Sequence, residues 1–270
     1  ERILEKFILD TANNGSSAGS GFLKIYEYGK PGYGQHEVFG RAAPSVLAPL
    51  RTMVLFLFDH NDKSSKLISS YPYATKGQPH EVTIDRIEEF DNGAEARLHA
   101  TKKDNQPGPA FMLTFFDTQY YKNKNVTKAP MTLKYYLSGL AYVLQKTDSP
   151  PMIITPEAYP EQYKTHSAIY RQQYNKEPPD RFVLHLDKGS ILLPREESDD
   201  YDFQGLVNDV KPFAWQGIKF YQLRVNVFDA AGEDDIDLFV NEHNIKGGYV
   251  PCVGDNVQGE RCFPAGFRPV

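Results

Sequence analysis

The dipeptide Asn92-Gly93 is the feature that most restricts what this chain can fold into. It favours the positive-φ conformations of a tight hairpin turn. Val82, Ile84 and Ile87 alternate before it, and Ala94, Ala96 and Leu98 alternate after it. A period of two suits half-buried strands. The same punctuation recurs along the chain. Strand candidates at 22–29 (FLKIYEYG), 36–42 (HEVFGRA) and 52–59 (TMVLFLFD) are separated by Gly/Pro turns, and 110–117 (AFMLTFFD) and 131–144 (MTLKYYLSGLAYVL) follow the hairpin.

A chain of 270 residues with 40% hydrophobic content can bury a core and has the length of two domains. The longest apolar run, 53–58 (MVLFLF), is strand-sized and too short to span a bilayer. At the start, charges interrupt Ile3, Leu4, Phe7, Ile8 and Leu9, unlike the core of a secretory signal. A cytoplasmic location without membrane contact is therefore the expectation. Cys252 and Cys262 are too few for a disulfide framework, and free thiols are favoured over a single bridge.

Residues 147–180 break the strand pattern. Pro-Pro pairs bound the segment, and Thr155-Pro156-Glu157 is a plausible helix start. A helix of about four turns, with Tyr159, Tyr163, Ile169 and Tyr170 or Tyr174 near one face, would link two domains. Beyond it the earlier order returns. Phe90 and Gly93 correspond to Phe213 and Gly217, 113–118 (LTFFDT) to 236–241 (IDLFVN), and Gly139-Leu140-Ala141-Tyr142 lies against Ala265-Gly266-Phe267. Two strands, a third, an irregular excursion and two closing strands form the order of an OB-fold, a five-stranded Greek-key barrel. The expected architecture is thus mainly β, with two OB-like five-stranded barrels in tandem joined by a Pro-flanked helical linker. Residues 1–146 form a β-rich region containing the first barrel (about 80–146), 147–180 the linker and 181–270 the second barrel. Gly93, Gly217, Gly254 and Gly259 are candidates for sharp bends.

Val253-Gly254-Asp255-Asn256-Val257-Gln258-Gly259 resembles the V-G-D-x-[IV]-x-G stretch of an uncharacterised group of bacterial proteins with tandem OB-like small β-barrels. The following CFPAGF departs from the aromatic-Leu-Gln-Gly version of that group. The resemblance implies the barrel fold and no known activity.

Gly15-Ser16-Ser17-Ala18-Gly19 matches the G-x-S-x-G pattern of a nucleophile elbow, but only fourteen residues precede it and no helix is expected after it. A flexible linker is the favoured reading. Asp117, at the end of a strand before Tyr120 and Tyr121, fits a turn-capping carboxylate better than an acid-base group. The acidic run Glu233, Asp234, Asp235 and Asp237 lacks EF-hand spacing and fits a solvated turn, and the seven histidines form no zinc pattern. Neither a metal nor a cofactor is expected.

Tyr120, Tyr121, Lys122, Lys124 and Lys128, with Arg97 and Lys134 on neighbouring strands, have the chemistry of a single-stranded nucleic-acid groove. Charge argues against a dedicated one. The net charge is -5; residues 180–270 hold 16 acids and 9 bases (-7), leaving +2 on residues 1–179. The favoured function is a non-enzymatic binding or adaptor protein contacting a protein partner. Weak single-stranded nucleic-acid binding is the alternative, and a hydrolase using Ser17 or Asp117 comes third.

Overall fold

A computed structural model describes residues 11–12, 16–27, 30–43, 49–59, 63–74, 77–102, 110–195, 198–215, 217–228, 235–262 and 264–267. The chain is mainly β. Strands β1 (Ser16–Glu27), β2 (Lys30–Ala43), β3 (Leu50–Asp59) and β4 (Ser64–Ala74) form an antiparallel sheet in sequence order. β1 corrects the expected linker. Its small residues pair with β2 from Ser16↔Ala42 to Glu27↔Lys30, because a backbone ladder does not require large side chains. β4 carries weaker alternation, with a proline at 72, and was not among the expected strands.

The second sheet begins with β5 (Gln78–Glu89), β6 (Ala96–Lys102) and β7 (Phe111–Asp117). A hairpin joins β5 to β6 as expected, but its turn is longer than a two-residue one: the Phe90 N–H meets the Glu95 carbonyl, Gly93 has φ 65°, and Ala94 lies in the turn instead of β6. A short helix, α1 (Tyr120–Asn123), leads to the long strand β8 (Met131–Lys146). After an arm consisting of β9 (Met152–Ile154), α2 (Pro160–Tyr174) and β10 (Phe182–Leu184), the chain adds β11 (Ile191–Pro194). The order then repeats as β12 (Asp200–Trp215), β13 (Ile218–Asn226), β14 (Asp235–Asn241), two 3-10 turns, β15 (Asn256–Cys262) and β16 (Pro264–Phe267).

Two sets of five strands each return by hydrogen bonds to their starting strand. In the first, β5 pairs with β6, β6 with β7, β7 with β16, β16 with β8, and β8 with β5. In the second, β12 pairs with β13, β13 with β14, β14 with β8, β8 with β15, and β15 with β12. β7–β16 and β14–β8 are the parallel contacts. β8 thus serves both sets. Residues 131–137 pair with β5, whereas residues 138–146 pair with β14 and β15. The converse holds for the end of the chain, where β15 belongs to the second set and β16 to the first. The ladder therefore runs across the boundary expected at 146.

Local irregularities make this possible. β5 shifts register between Ile84 and Arg86, where its pairing passes from β8 to β6; β12 shifts between Val207 and Asp209, where its pairing passes from β15 to β13. An extra residue bends and twists a strand toward its next neighbour. Inward residues of both sets merge into one core that includes Leu98, Phe115, Tyr135, Phe203, Leu223 and Leu238. Burying each large aliphatic side chain contributes about 1.5–3 kcal/mol. Tyr201 fastens the seam, since its hydroxyl accepts the Thr114 N–H at 2.6 Å and donates to the Thr114 carbonyl at 3.1 Å. Arg261, also fully buried, stacks over the Phe203 ring at 5.1 Å.

The N-terminal sheet has a backbone ladder of its own and packs on both sets. Val38, Met53 and Leu55 cover Ala94 and Tyr121, while Leu50 covers Phe220 and Phe239. The acidic run is also corrected in part. Asp235 and Asp237 are buried in β14, with both Asp235 oxygens accepting from the Asn208 amide at 2.9 and 3.0 Å. Glu233 and Asp234 lie outside the described residues.

Candidate binding surfaces

The residues expected to grip a nucleic acid do not form one groove. Tyr120 and Tyr121 are buried, because α1 is wedged between the second sheet and the N-terminal one. The Tyr120 hydroxyl donates to Glu89 at 3.0 Å. Tyr121 lies against Gly40 so closely that a Cβ there would be 2.5 Å from its hydroxyl oxygen. Neither ring presents a face for base stacking. Lys124 is held by Glu89 at 2.6 Å and the Gly93 carbonyl at 3.1 Å. Lys122 and Lys128 are exposed, and Lys134 is an exposed ladder partner of Glu81. Arg97 lies 3.4 Å from Asp199 and 3.6 Å from Glu88, with its guanidinium 5.7 Å from the centre of the Phe90 ring.

Asp117 caps, as its position suggests. Its Oδ1 accepts the Gln119 N–H at 2.8 Å, and Tyr135 donates to Oδ2 at 3.4 Å. Burial pushes its pKa up to about 7 against the pull of those two donors. Being 1% exposed, the carboxyl has no surface to offer a substrate. Ser17 lies within β1 opposite Arg41, so the turn-to-helix geometry of an elbow is absent at that position. Among the described residues, no group of three or more His, Cys, Asp or Glu side chains could hold a metal. Cys252 is a free, exposed thiol. No helix among the described residues is long and apolar enough to cross a membrane.

Outward residues of β5, β6 and β7 make a polar network. His99 meets Arg86 at 2.8 Å, Glu88 at 3.1 Å and Thr114 at 3.1 Å, and the His99 bond holds the Glu88 carboxyl below its ordinary pKa. At the Phe116 end this face runs into a cleft of 240 Å³ against β4, lined by Ser69, Tyr71, Glu95, Phe116, Leu140 and Asp199. A second groove of 340 Å³ lies where Ile191 and Leu193 of β11 overlook Gln145, Gln258 and Gly259.

The arm is the third surface. α2 begins at Pro160, one turn after the expected start, and ends on Asn175 in the left-handed conformation. The rings of Tyr163, His166 and Tyr170 pack on Phe182 at 5.5, 5.6 and 6.1 Å between centroids. That contact uses the inner side of the helix, where only Ser167 is buried. Tyr159, Ile169 and Tyr174 remain exposed, as do the paired Ile153 and Val183 on the hairpin. Half of the exposed large hydrophobics among the described residues lie between Ile153 and Leu193.

No protein-family model, curated protein or solved structure matches this chain.

Proposed function

We propose that the chain is a non-enzymatic binding protein, in which two OB-like barrels that exchange their fifth strands form a rigid base and the arm contacts a protein partner. The barrel reading is supported by the two five-strand circuits, the bulged first strands and the helical or 3-10 excursion between third and fourth strands of each set. Kinship with the uncharacterised bacterial tandem-barrel group is part of the same proposal and rests on the V-G-D-x-V-x-G stretch.

The observation carrying the function is that the arm is unnecessary as a connection. Met152 and Leu184 are ladder partners, which places their Cα atoms about 5 Å apart. The chain leaves and returns to the same place, and the intervening residues expose Tyr and aliphatic side chains of the kind enriched in protein interfaces. Segments that run over the surface of a rigid scaffold are disproportionately where binding residues lie.

Replacing residues 153–183 by an Asn-Gly turn tests this directly. The shortened protein is expected to keep its near-UV circular dichroism and cooperative unfolding, because the shared core of the two circuits contains no residue of the arm, whose buried side chains are Ile154 and Ser167. A partner cross-linked by the intact chain should be lost, while Lys122→Glu retains it. Retention by the arm-less protein would refute the proposal. A labelled single-stranded oligonucleotide is expected to show no salt-sensitive anisotropy change, since the candidate stacking rings are interior.

A further inference from the structure

The cleft between β4 and the first circuit has a specific chemistry, independent of the arm. Tyr71 and Phe116 meet with centroids 4.9 Å apart and planes at 78°, making an aromatic corner. Glu95 and Asp199 supply carboxylates, and Leu140 and Pro72 supply apolar wall. Glu95 is only 6% exposed. Its oxygens accept from neutral donors, the Ser69 hydroxyl at 2.7 Å and the Asn92 amide. Among the described residues, no Lys, Arg or His lies within ion-pairing distance of it. Burial without a counter-charge is costly for a carboxylate. Asp199, whose pKa burial raises, is paired with the Arg97 guanidinium, which also reaches Glu88. Arg97 thus answers Asp199 and leaves Glu95 without a cation of its own, and ring faces attract one. The hydroxyl of Tyr71 is turned away to the Thr118 carbonyl, 2.8 Å distant.

We propose that this cleft binds an alkylammonium group, carried by a lysine side chain or by a free diamine. The ammonium would sit against the aromatic corner and Glu95, with its aliphatic stem along Leu140. An anion would meet two carboxylates, and a neutral alcohol would leave the charge of Glu95 unbalanced.

Saturation-transfer NMR on the full chain tests this with two cations, 1,5-diaminopentane and acetyl-lysine-methylamide. The neutral controls are 1-pentanol and the Nε-acetylated lysine derivative. The expected result is saturable binding of at least one cation, about tenfold tighter than its control and weakened about tenfold by Glu95→Gln. Binding of the lysine derivative alone would assign the cleft to a partner's side chain; binding of the diamine alone would assign it to a free amine. Glu95 also ties the hairpin turn to β4, so near-UV circular dichroism must confirm that its variant is folded. Phe116→Leu, which removes a ring face and keeps apolar bulk, replaces it if it is not. Absence of cation binding at millimolar concentration, equal binding of the neutral controls, or binding unchanged in a folded variant would overturn the proposal.

Discussion

Gly259→Ala is expected to lower the unfolding free energy by about 3 kcal/mol or more, as severe overpacking does. Gly259 sits in β15 between β12 and β8, at the strand that joins one half of the second circuit to the other. A Cβ there would lie 1.9 Å from the Val143 carbonyl oxygen and 3.1 Å from the Phe203 ring. The obstacle is backbone held in a ladder, which cannot move aside without breaking hydrogen bonds on both edges. Gly217→Ala is the comparison. It has φ 77° but nothing within 4 Å of the added atom, so its cost should be the conformational one alone, about 1 kcal/mol. Chemical denaturation of the two variants measures the difference. Equal, small losses would mean that β15 does not approach β8 as closely as described.

Asp117→Asn should change how stability depends on pH. In the unfolded chain this carboxyl ionises near 3.8, whereas in the folded one it holds its proton up to about 7, with burial as the main cause. Folding therefore favours the protonated form. The stability this supplies is complete below about pH 4, declines as pH rises through the interval and is gone above 7. Three pKa units correspond to about 4 kcal/mol. Asparagine keeps an acceptor for the Gln119 N–H and carries no charge. The variant should therefore match the wild type near pH 4 and exceed its stability by several kcal/mol near pH 8. Tyr135 and Tyr120 also face this site, and both are pushed to ionise far above that range. They leave Asp117 as the titrating group there. A difference between variant and wild type that stays constant from pH 4 to 8 would contradict the assignment.

Local signals made much of this legible. Asn92-Gly93 and its alternating flanks fixed the β5–β6 hairpin, and the paired prolines bounded the arm. The repeat was visible as an order of elements. Its match of Gly139-Leu140-Ala141 with Ala265-Gly266-Phe267 is consistent with the observed roles, since both stretches lie where a strand passes from its own set to the other. The exchange itself left no local mark. Met131–Lys146 is one continuous strand, and nothing in its residue types says that its second half pairs elsewhere. Tyr120 and Tyr121 resembled surface residues because lysines surround them, yet a four-residue helix placed between two sheets buries both. The cleft was illegible for a related reason. Ser69, Tyr71, Glu95, Phe116 and Asp199 come from four separate stretches of chain, without a spacing that would connect them.

Native-state hydrogen exchange of the ladder amides tests the exchanged-strand architecture most directly. If the two circuits share β8 and the β15–β16 segment, amides in β5–β8 and in β12–β15 should become exchange-competent through one common opening with a single free energy. The arm amides of β9, α2 and β10 should open well below that value. Two distinct free energies, one for residues 78–146 and another for residues 200–262, would show that each half holds its strands by itself and would contradict the account.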